Sequence, residues 1–193
     1  MLQSCGKTYK LSEEALAWQP YKVGDVLIFK SNKGEIDTIY VREINSHTNP
    51  SDPLDFFPDY HQSLFVTGEI KLREPKVDMM KKKYFTENIN LLNLHADEES
   101  PFFYFVFEKK TDTLDYPTTA LTLDSLKLEF KTKKKLKYGA ILIQAKEHYD
   151  LPFDYDLANF WWSKEYGYVR YEFKDGYYWE LREFIRDNKN ILK

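Results

Sequence analysis

The sequence predicts an all-β, mainly antiparallel fold, either a barrel or a two-sheet sandwich of about nine or ten strands with one short N-terminal helix. Two observations carry this prediction. Aromatic residues make up 17 % of the 193 residues, and Tyr, Phe and Trp favour the pleated, half-buried surface of a strand. Short alternating or wholly apolar segments also recur between turn signals along most of the chain.

Composition excludes several classes of protein. The chain has 28 basic and 31 acidic residues, whereas a dedicated nucleic-acid binder is normally basic over a whole face. A single Cys rules out an intrachain disulfide framework and a Cys-rich zinc site. No apolar run reaches the roughly 20 residues of a membrane helix. No linker or repeat divides the chain, so we expect one domain over residues 11–193, preceded by a flexible tether over residues 1–10.

The helix is predicted at residues 11–18. Ser12 can cap its N-terminus, and the acidic Glu13 and Glu14 suit the positive end of a helix dipole. Pro20 then ends the helix. We expect this helix to cover a sheet edge or the end of a barrel.

In the first half of the chain, residues 25–31 and 35–44 form a predicted hairpin around Asn32, Lys33 and Gly34. A two-residue and a four-residue loop both fit, so the register stays open. Residues 46–60 contain three prolines and are expected to form a long loop. Further strands are predicted at 63–72 and 85–94, with a polar connection at 74–83 between them.

In the second half, residues 102–107 are apolar on both faces and predict a central strand, with Phe103, Phe105 and Phe107 on one face. The alternation at 126–131 predicts a strand with one face in water. Residues 140–145 predict another buried strand. A closing meander is predicted at 160–163, 168–173 and 177–182, followed by a polar tail at 187–193.

The register of the meander follows from the parity of its apolar residues, since opposite residues of an antiparallel pair share a face. A three-residue loop at 174–176, ending on Gly176, pairs Tyr171 with Trp179. A four-residue loop at 164–167 pairs Trp162 with Val169 and Phe160 with Tyr171. The resulting core face carries six residues: Phe160, Trp162, Val169, Tyr171, Trp179 and Leu181.

The opposite face of the meander carries the candidate ligand-binding residues Trp161, Arg170 and Glu180. Arg170 is expected to stack on Trp161 and to pair with Glu180. Two interpretations remain open. The cluster either pins the strand register only, or forms a platform on which a planar or sugar ligand lies against Trp161.

No catalytic or cofactor motif is present, so we predict no catalytic residue, no metal and no cofactor. The four histidines are scattered without metal-ligand spacing, at His47, His61, His95 and His148. Two loops are rich in Asp, at residues 52–59 and 150–156, but neither has a calcium-binding pattern. Such Asp residues more commonly begin turns.

The sole cysteine, Cys5, follows Leu2 and Ser4 in a pattern that resembles the lipobox of bacterial lipoproteins, in which the thiol receives a lipid. A complete signal also needs a basic region and an apolar stretch before the Cys. That stretch lies upstream of Met1, or the chain has been trimmed, or the match is accidental and Cys5 is an ordinary residue of a frayed N-terminus.

Residues 160–172 read FWWSKEYGYVRYE, and a Trp-x-Leu follows at residues 179–181. This stretch resembles a WSKxxGxVxYE-like hairpin near the end of uncharacterised lipoproteins from Bacteroidetes, and the Leu-x-Ser-Cys start agrees with the same source. The resemblance covers about the last thirty residues and the first five. It implies an exported lipoprotein with no assigned activity.

We therefore expect a non-enzymatic binding module held by a lipid on Cys5 at the bacterial cell envelope, on the outer membrane or its periplasmic face. Its candidate partners are a glycan, a lipid or an envelope protein, and not a nucleic acid. The alternative is a hydrolase that uses carboxylates on a cell-envelope or glycan substrate. Without a lipid on Cys5, the chain is expected to be a cytoplasmic structural protein.

Overall fold

The structure is a computed structural model that describes residues 6–71, 86–106, 117–145 and 157–193. It confirms the all-β prediction: the strands form one mostly antiparallel sheet that curls into a half barrel. Twelve strands and two α-helices lie in the described ranges, against the nine or ten strands and one helix expected.

The strands are β1 Thr8–Tyr9, β2 Val26–Ser31, β3 Ile36–Pro50, β4 Tyr60–Lys71, β5 Thr86–His95, β6 Phe102–Val106, β7 Pro117–Thr122, β8 Ile141–Gln144, β9 Leu157–Ser163, β10 Gly167–Phe173, β11 Tyr178–Arg186 and β12 Lys189–Asn190. The helices are α1 Glu13–Leu16 and α2 Leu123–Thr132, and a 3-10 turn follows at Lys137–Gly139. The sheet order is β7-β6-β5-β4-β3-β2-β11-β10-β9-β8, with β1 parallel to β4 and β12 paired with β11.

The core lies inside the curl, where the two arms of the sheet face each other. The ring of Phe105 in β6 lies 5.2 Å from that of Phe160 and 4.9 Å from that of Trp162, both in β9. Phe103 and Phe105 are fully buried, as predicted. Phe102 and Tyr104 on the other face are only half-buried, which corrects the expectation that both faces of this strand are largely buried. Phe107 lies outside the described residues.

Helix α1 has the Ser12 cap that the sequence predicts, but it spans only Glu13–Leu16 and not residues 11–18. The Ser12 hydroxyl accepts the Ala15 N–H at 3.1 Å, and the fully buried Ala15 faces the core. The aromatic ring of Trp18, just past the helix, packs edge-on against Phe130 of α2 at 4.8 Å. Both helices therefore cover the same side of the fold.

Helix α2 overturns the strand predicted at 126–131. Thr122 caps the helix by accepting the Ser125 N–H at 3.1 Å. The inward residues are Leu123 and Leu126, which are buried, and Phe130, which is partly buried. Their spacing of three and four follows a helical period. Leu128, which created the apparent alternation, is 60 % exposed.

The first hairpin has neither of the two registers considered from the sequence. Lys30 pairs with Ile36 and Ser31 donates its N–H to the Glu35 carbonyl at 2.9 Å, which leaves a three-residue loop. Its last residue, Gly34, has φ +87°, the left-handed conformation that this loop class needs and that glycine adopts without strain.

The long loop expected at 46–60 is shorter in the structure, because β3 continues to Pro50 and pairs there with Tyr60. The loop proper is residues 51–59, closed by a hydrogen bond from the Ser51 N–H to the Asp59 carbonyl at 2.7 Å. Since Ser51 and Asp59 are hydrogen-bonded, the neighbouring Pro50–Tyr60 pair is a non-hydrogen-bonded one, and the missing N–H of Pro50 removes no bond to β4.

The first predicted register of the meander is confirmed and the second needs one correction. Tyr171 pairs with Trp179 across the predicted three-residue loop. The loop before it has three residues, not four, and a bulge follows, so Trp162 pairs with Tyr168 instead of Val169. Beyond the bulge the predicted register is restored, and Phe160 pairs with Tyr171. The bulge also turns Tyr168 into the core beside the six expected residues, which are all buried.

Gly167, the first residue of β10, tolerates no side chain. Its φ is +71°, and a Cβ there would overlap the hydroxyl of Tyr21, which accepts the Tyr168 N–H at 3.0 Å. Gly176 has φ +80° but open space around it. We expect Gly176→Ala to cost about 1–2 kcal/mol from backbone strain alone and Gly167→Ala to cost clearly more. Urea unfolding of both variants checks this, and equal losses would contradict the overlap.

Three terminal or edge segments also differ from expectation. The strand predicted at 140–145 is β8, an edge strand with Leu142 partly exposed rather than one buried on both faces. Part of the expected polar tail returns as β12 against β11. Of the expected tether, residues 8 and 9 are strand β1, while residues 1–5 lie outside the described residues.

Candidate functional site

The three predicted ligand-binding residues stand in one row on the outer face of the sheet. Arg170 lies opposite Trp161 on one side and Glu180 on the other. The row continues to Leu142 of β8 and Lys30 of β2. The partners opposite each other share a face, and the core residues Phe160, Tyr171 and Trp179 occupy the other face. The parity argument thus placed these side chains correctly.

The guanidinium of Arg170 lies between two aromatic rings. Its Cζ is 4.7 Å from the ring centre of Trp161 and 3.7 Å from that of Tyr178. Its Nη2 lies 3.1 Å from Oε2 of Glu172, while its Nε is buried and has no hydrogen-bond partner. We call Trp161, Arg170, Glu172, Tyr178 and Glu180 the arginine surface.

The ion pairing on this surface differs from the expectation. Arg170 pairs with Glu172, two positions along its own strand, and not with Glu180. Glu180 instead accepts from Lys137 at 3.2 Å and pairs with Arg182 at 3.1 Å. Residues two apart on a strand share a face, and stacking on Tyr178 directs the guanidinium toward that end. Tyr178 and Lys137 were not among the predicted site residues.

Basic groups outnumber carboxylates around the arginine surface. Arg170, Arg182, Lys137 and Lys30 surround or face Glu172 and Glu180. The side chains of Arg170, Glu172 and Glu180 are 20–30 % exposed. The surface therefore combines two half-buried rings with donors and a local positive excess in a chain of net charge −3, a combination that can hold an anionic or hydroxyl-rich ligand.

A second polar cluster, which the sequence did not predict, lies on β4 and β5. The Ser63 hydroxyl is 2.8 Å from Nδ1 of His95. The rings of His61 and His95 stack at 5.3 Å, and Nδ1 of His61 is 2.8 Å from the Ala96 carbonyl. We call His61, Ser63 and His95 the histidine cluster. The ring of Tyr9 in β1 packs on His61 at 4.8 Å.

The histidine cluster ties three strands together and does not form a metal centre. No group of three or more His, Cys, Asp or Glu residues able to hold a metal exists in the part of the chain that the structure describes. A Ser–His hydrogen bond is the first element of nucleophilic catalysis, but Ser63 is buried. Sequence reasoning missed the cluster because it depends on the long-range register of β4 and β5.

Burial lowers the pKa of His95 below its ordinary value of 6.5, and the neighbouring His61 lowers it further, while Asp97 acts in the opposite direction. The unfolded chain therefore binds a proton at His95 at a higher pH than the folded chain does. We expect stability to fall as the pH drops below about 6.5, until the lower folded pKa is passed.

Urea unfolding at pH 8, 6 and 5 tests this expectation. The His95→Gln variant should lose less stability between pH 8 and 5 than the unsubstituted chain. His47→Gln, at an exposed position of β3, is the control and should keep the full pH dependence. Identical pH profiles for the unsubstituted chain and His95→Gln would refute the assignment.

The acidic loop at 52–59 follows the turn interpretation. The carboxylates of Asp52 and Asp55 accept the N–H groups of Leu54 at 2.8 Å and Phe57 at 3.1 Å. Asp59 accepts the Lys7 N–H at 2.6 Å. Residues 150–156, the other Asp-rich stretch, and Cys5, the predicted lipidation site, lie outside the described residues.

Comparisons with family models, curated proteins and solved structures each find no match to this chain. Within the described ranges, neither helix is long and apolar enough to cross a bilayer.

Proposed function

We propose that this protein is a non-enzymatic binding module of the bacterial cell envelope, whose arginine surface binds an acidic glycan. The observation that carries the proposal is the row in which Arg170 lies between the rings of Trp161 and Tyr178 on the outer face. Aromatic rings provide stacking area for sugar rings, and guanidinium groups recognise carboxylates. The local excess of basic side chains favours an anionic sugar over a neutral one.

The pairing of the two carboxylates supports binding over the hydrolase alternative. A glycosidase needs one carboxyl group that donates a proton to the leaving group. Glu172 and Glu180 instead contact Arg170, Lys137 and Arg182, so their oxygens are engaged by basic side chains of the same surface. In this proposal both carboxylates orient the basic side chains that contact the ligand.

The proposed test is titration with a uronic-acid oligosaccharide and with its neutral counterpart, measured by calorimetry. We expect binding of the acidic sugar alone, weakened by salt, and a loss of at least about tenfold in affinity for Trp161→Ala. Lys131→Ala, at an exposed lysine of α2, is the matched control and should bind normally. Unchanged affinity in Trp161→Ala would contradict ligand binding at this row and would mean that its residues only stabilise the fold.

The proposed localisation at the cell envelope rests on the lipobox-like residues 2–5 and on the resemblance to lipoproteins. Its test is expression of the gene with its own upstream sequence in a bacterial host, followed by mass spectrometry of the mature chain. We expect a diacylglyceryl group on Cys5 and its loss in Cys5→Ser. A mature chain that begins at Met1 with a free thiol would refute the anchor.

A further inference from the structure

The loop at residues 51–59, at the tip of the β3–β4 hairpin, carries three large apolar side chains in water. Leu54 is 90 %, Phe56 94 % and Phe57 63 % exposed. Single exposed apolar residues are common, but a group of three on one short loop marks an interaction surface. We call residues 51–59 the apolar loop.

The apolar loop stands at the far end of a long hairpin. Strand β2 pairs with β3 only over residues 36–40, whereas β3 and β4 pair as far as Pro50 and Tyr60. The ten residues from Val41 to Pro50 reach about 30 Å beyond that pairing at the usual rise of a strand. On its other side the hairpin is paired, because β4 pairs with β5 as far as Ser63 and His95 and with β1 at Tyr60 and His61. The apolar loop lies just past the end of these pairings, with its three apolar side chains exposed.

The N-terminal end of the described chain lies against this loop. A Cβ on Gly6 would overlap the Pro58 carbonyl, the Lys7 N–H donates to Asp59 at 2.6 Å, and the Tyr60 N–H donates to the Lys7 carbonyl at 2.8 Å. Cys5 is bonded to Gly6, and consecutive Cα atoms are about 3.8 Å apart. A lipid on Cys5 would therefore leave the fold at the base of the apolar loop.

The charges around the loop select among lipid surfaces. Asp52, Asp55 and Asp59 lie within it, and the nearby Lys7 is paired with Glu98 at 3.1 Å. Anionic headgroups repel these carboxylates. A zwitterionic surface carries no such penalty and offers an interface into which Leu54, Phe56 and Phe57 can insert.

We propose that the apolar loop docks on a zwitterionic phospholipid surface beside the N-terminal anchor and fixes the orientation of the half barrel on the membrane. The inference rests on the proposed anchor at Cys5 for its geometry. A diacylglyceryl group on Cys5 supplies stable attachment through its two acyl chains. The loop supplies the second point of contact, which fixes the orientation.

The experiment uses the full chain, in which Cys5 is the sole cysteine. Coupling Cys5 to a maleimide phospholipid in phosphatidylcholine vesicles reproduces the anchor whether or not the cell attaches a lipid. A Phe56→Trp variant then reports insertion by a blue-shifted emission and by quenching from brominated lipid, relative to the unsubstituted chain. Leu128→Trp, exposed on α2, is the control and should show neither change.

A second arm omits the coupling. The Cys5→Ser chain should co-sediment with phosphatidylcholine vesicles. The combined Leu54→Asp and Phe56→Asp substitutions should weaken this binding at least tenfold. Adding anionic lipid to the vesicles should also weaken it. Absence of quenching at position 56 in the coupled protein would overturn the inference. Concentration-dependent self-association that the double Asp variant abolishes, without vesicle binding, would also overturn it in favour of a second copy as the occupant.

The two proposals fail separately. Quenching at position 56 in coupled protein, together with an unmodified Cys5 in cells, would refute the anchor and keep the apolar loop as a membrane contact. A lipidated Cys5 in cells with an unquenched position 56 would refute the loop contact alone.

Discussion

Replacement of Phe105 by alanine is expected to lower the free energy of unfolding by about 3–5 kcal/mol. The side chain is fully buried and contacts the rings of Phe160 and Trp162 on the opposite arm of the sheet. Its removal leaves a cavity between the two arms of the curled sheet. The loss therefore includes both the transfer of the ring to water and the unfilled space.

Urea unfolding measures this loss. Phe102→Ala, at a half-buried ring on the other face of the same strand, is the matched control and should cost less than half as much. A loss below about 1 kcal/mol for Phe105→Ala would mean that β6 does not form the centre of the core.

The second large effect is expected at Arg186. Its guanidinium contacts the two carboxylate oxygens of Asp25 at 2.8 and 2.6 Å and donates to the Pro20 carbonyl at 2.7 Å. Asp25 is 1 % exposed, and its hydrogen bond raises the pKa of Arg186. Removing the arginine leaves a buried carboxylate without its cation, so Arg186→Ala should cost about 3–5 kcal/mol.

A double-mutant cycle separates the ion pair from the packing. Asp25→Asn combined with Arg186→Met leaves no unpaired charge, and its cost should be clearly below the sum of the two single variants. Additive losses would show that Arg186 acts through its contacts with Pro20 and its neighbours alone.

Local features of the fold could be predicted from the sequence because they depend on neighbouring residues. Alternation places Trp161 and Trp179 on opposite faces, and Gly176 selects a three-residue loop, so both faces of the closing meander and one of its two registers are predicted correctly. The same glycine argument applies to Gly34, where only two-residue and four-residue loops were considered. The bulge at residues 168–170 could not be found from parity, since an inserted residue reverses parity without any compositional signal.

Long-range features could not be predicted. The histidine cluster depends on the register between β4 and β5, whose connection at residues 72–85 carries no turn signal that fixes it. Helix α2 illustrates a different difficulty, because the segment has both a period of two, through Leu128, and a period near 3.6, through Leu126 and Phe130. The cap at Thr122 and the neighbouring Asp124 are the signals that identify the helix.

The sheet order also has a consequence for folding kinetics. Strand β2, near the start of the chain, has β11 as one of its two neighbours, and the Asp25–Arg186 contact joins residues 161 positions apart. Folding rates fall as contacting residues lie farther apart in sequence. The N-terminal and C-terminal parts of the sheet cannot pair before residues 178–186 have been synthesised. We therefore expect slow folding that is completed after translation.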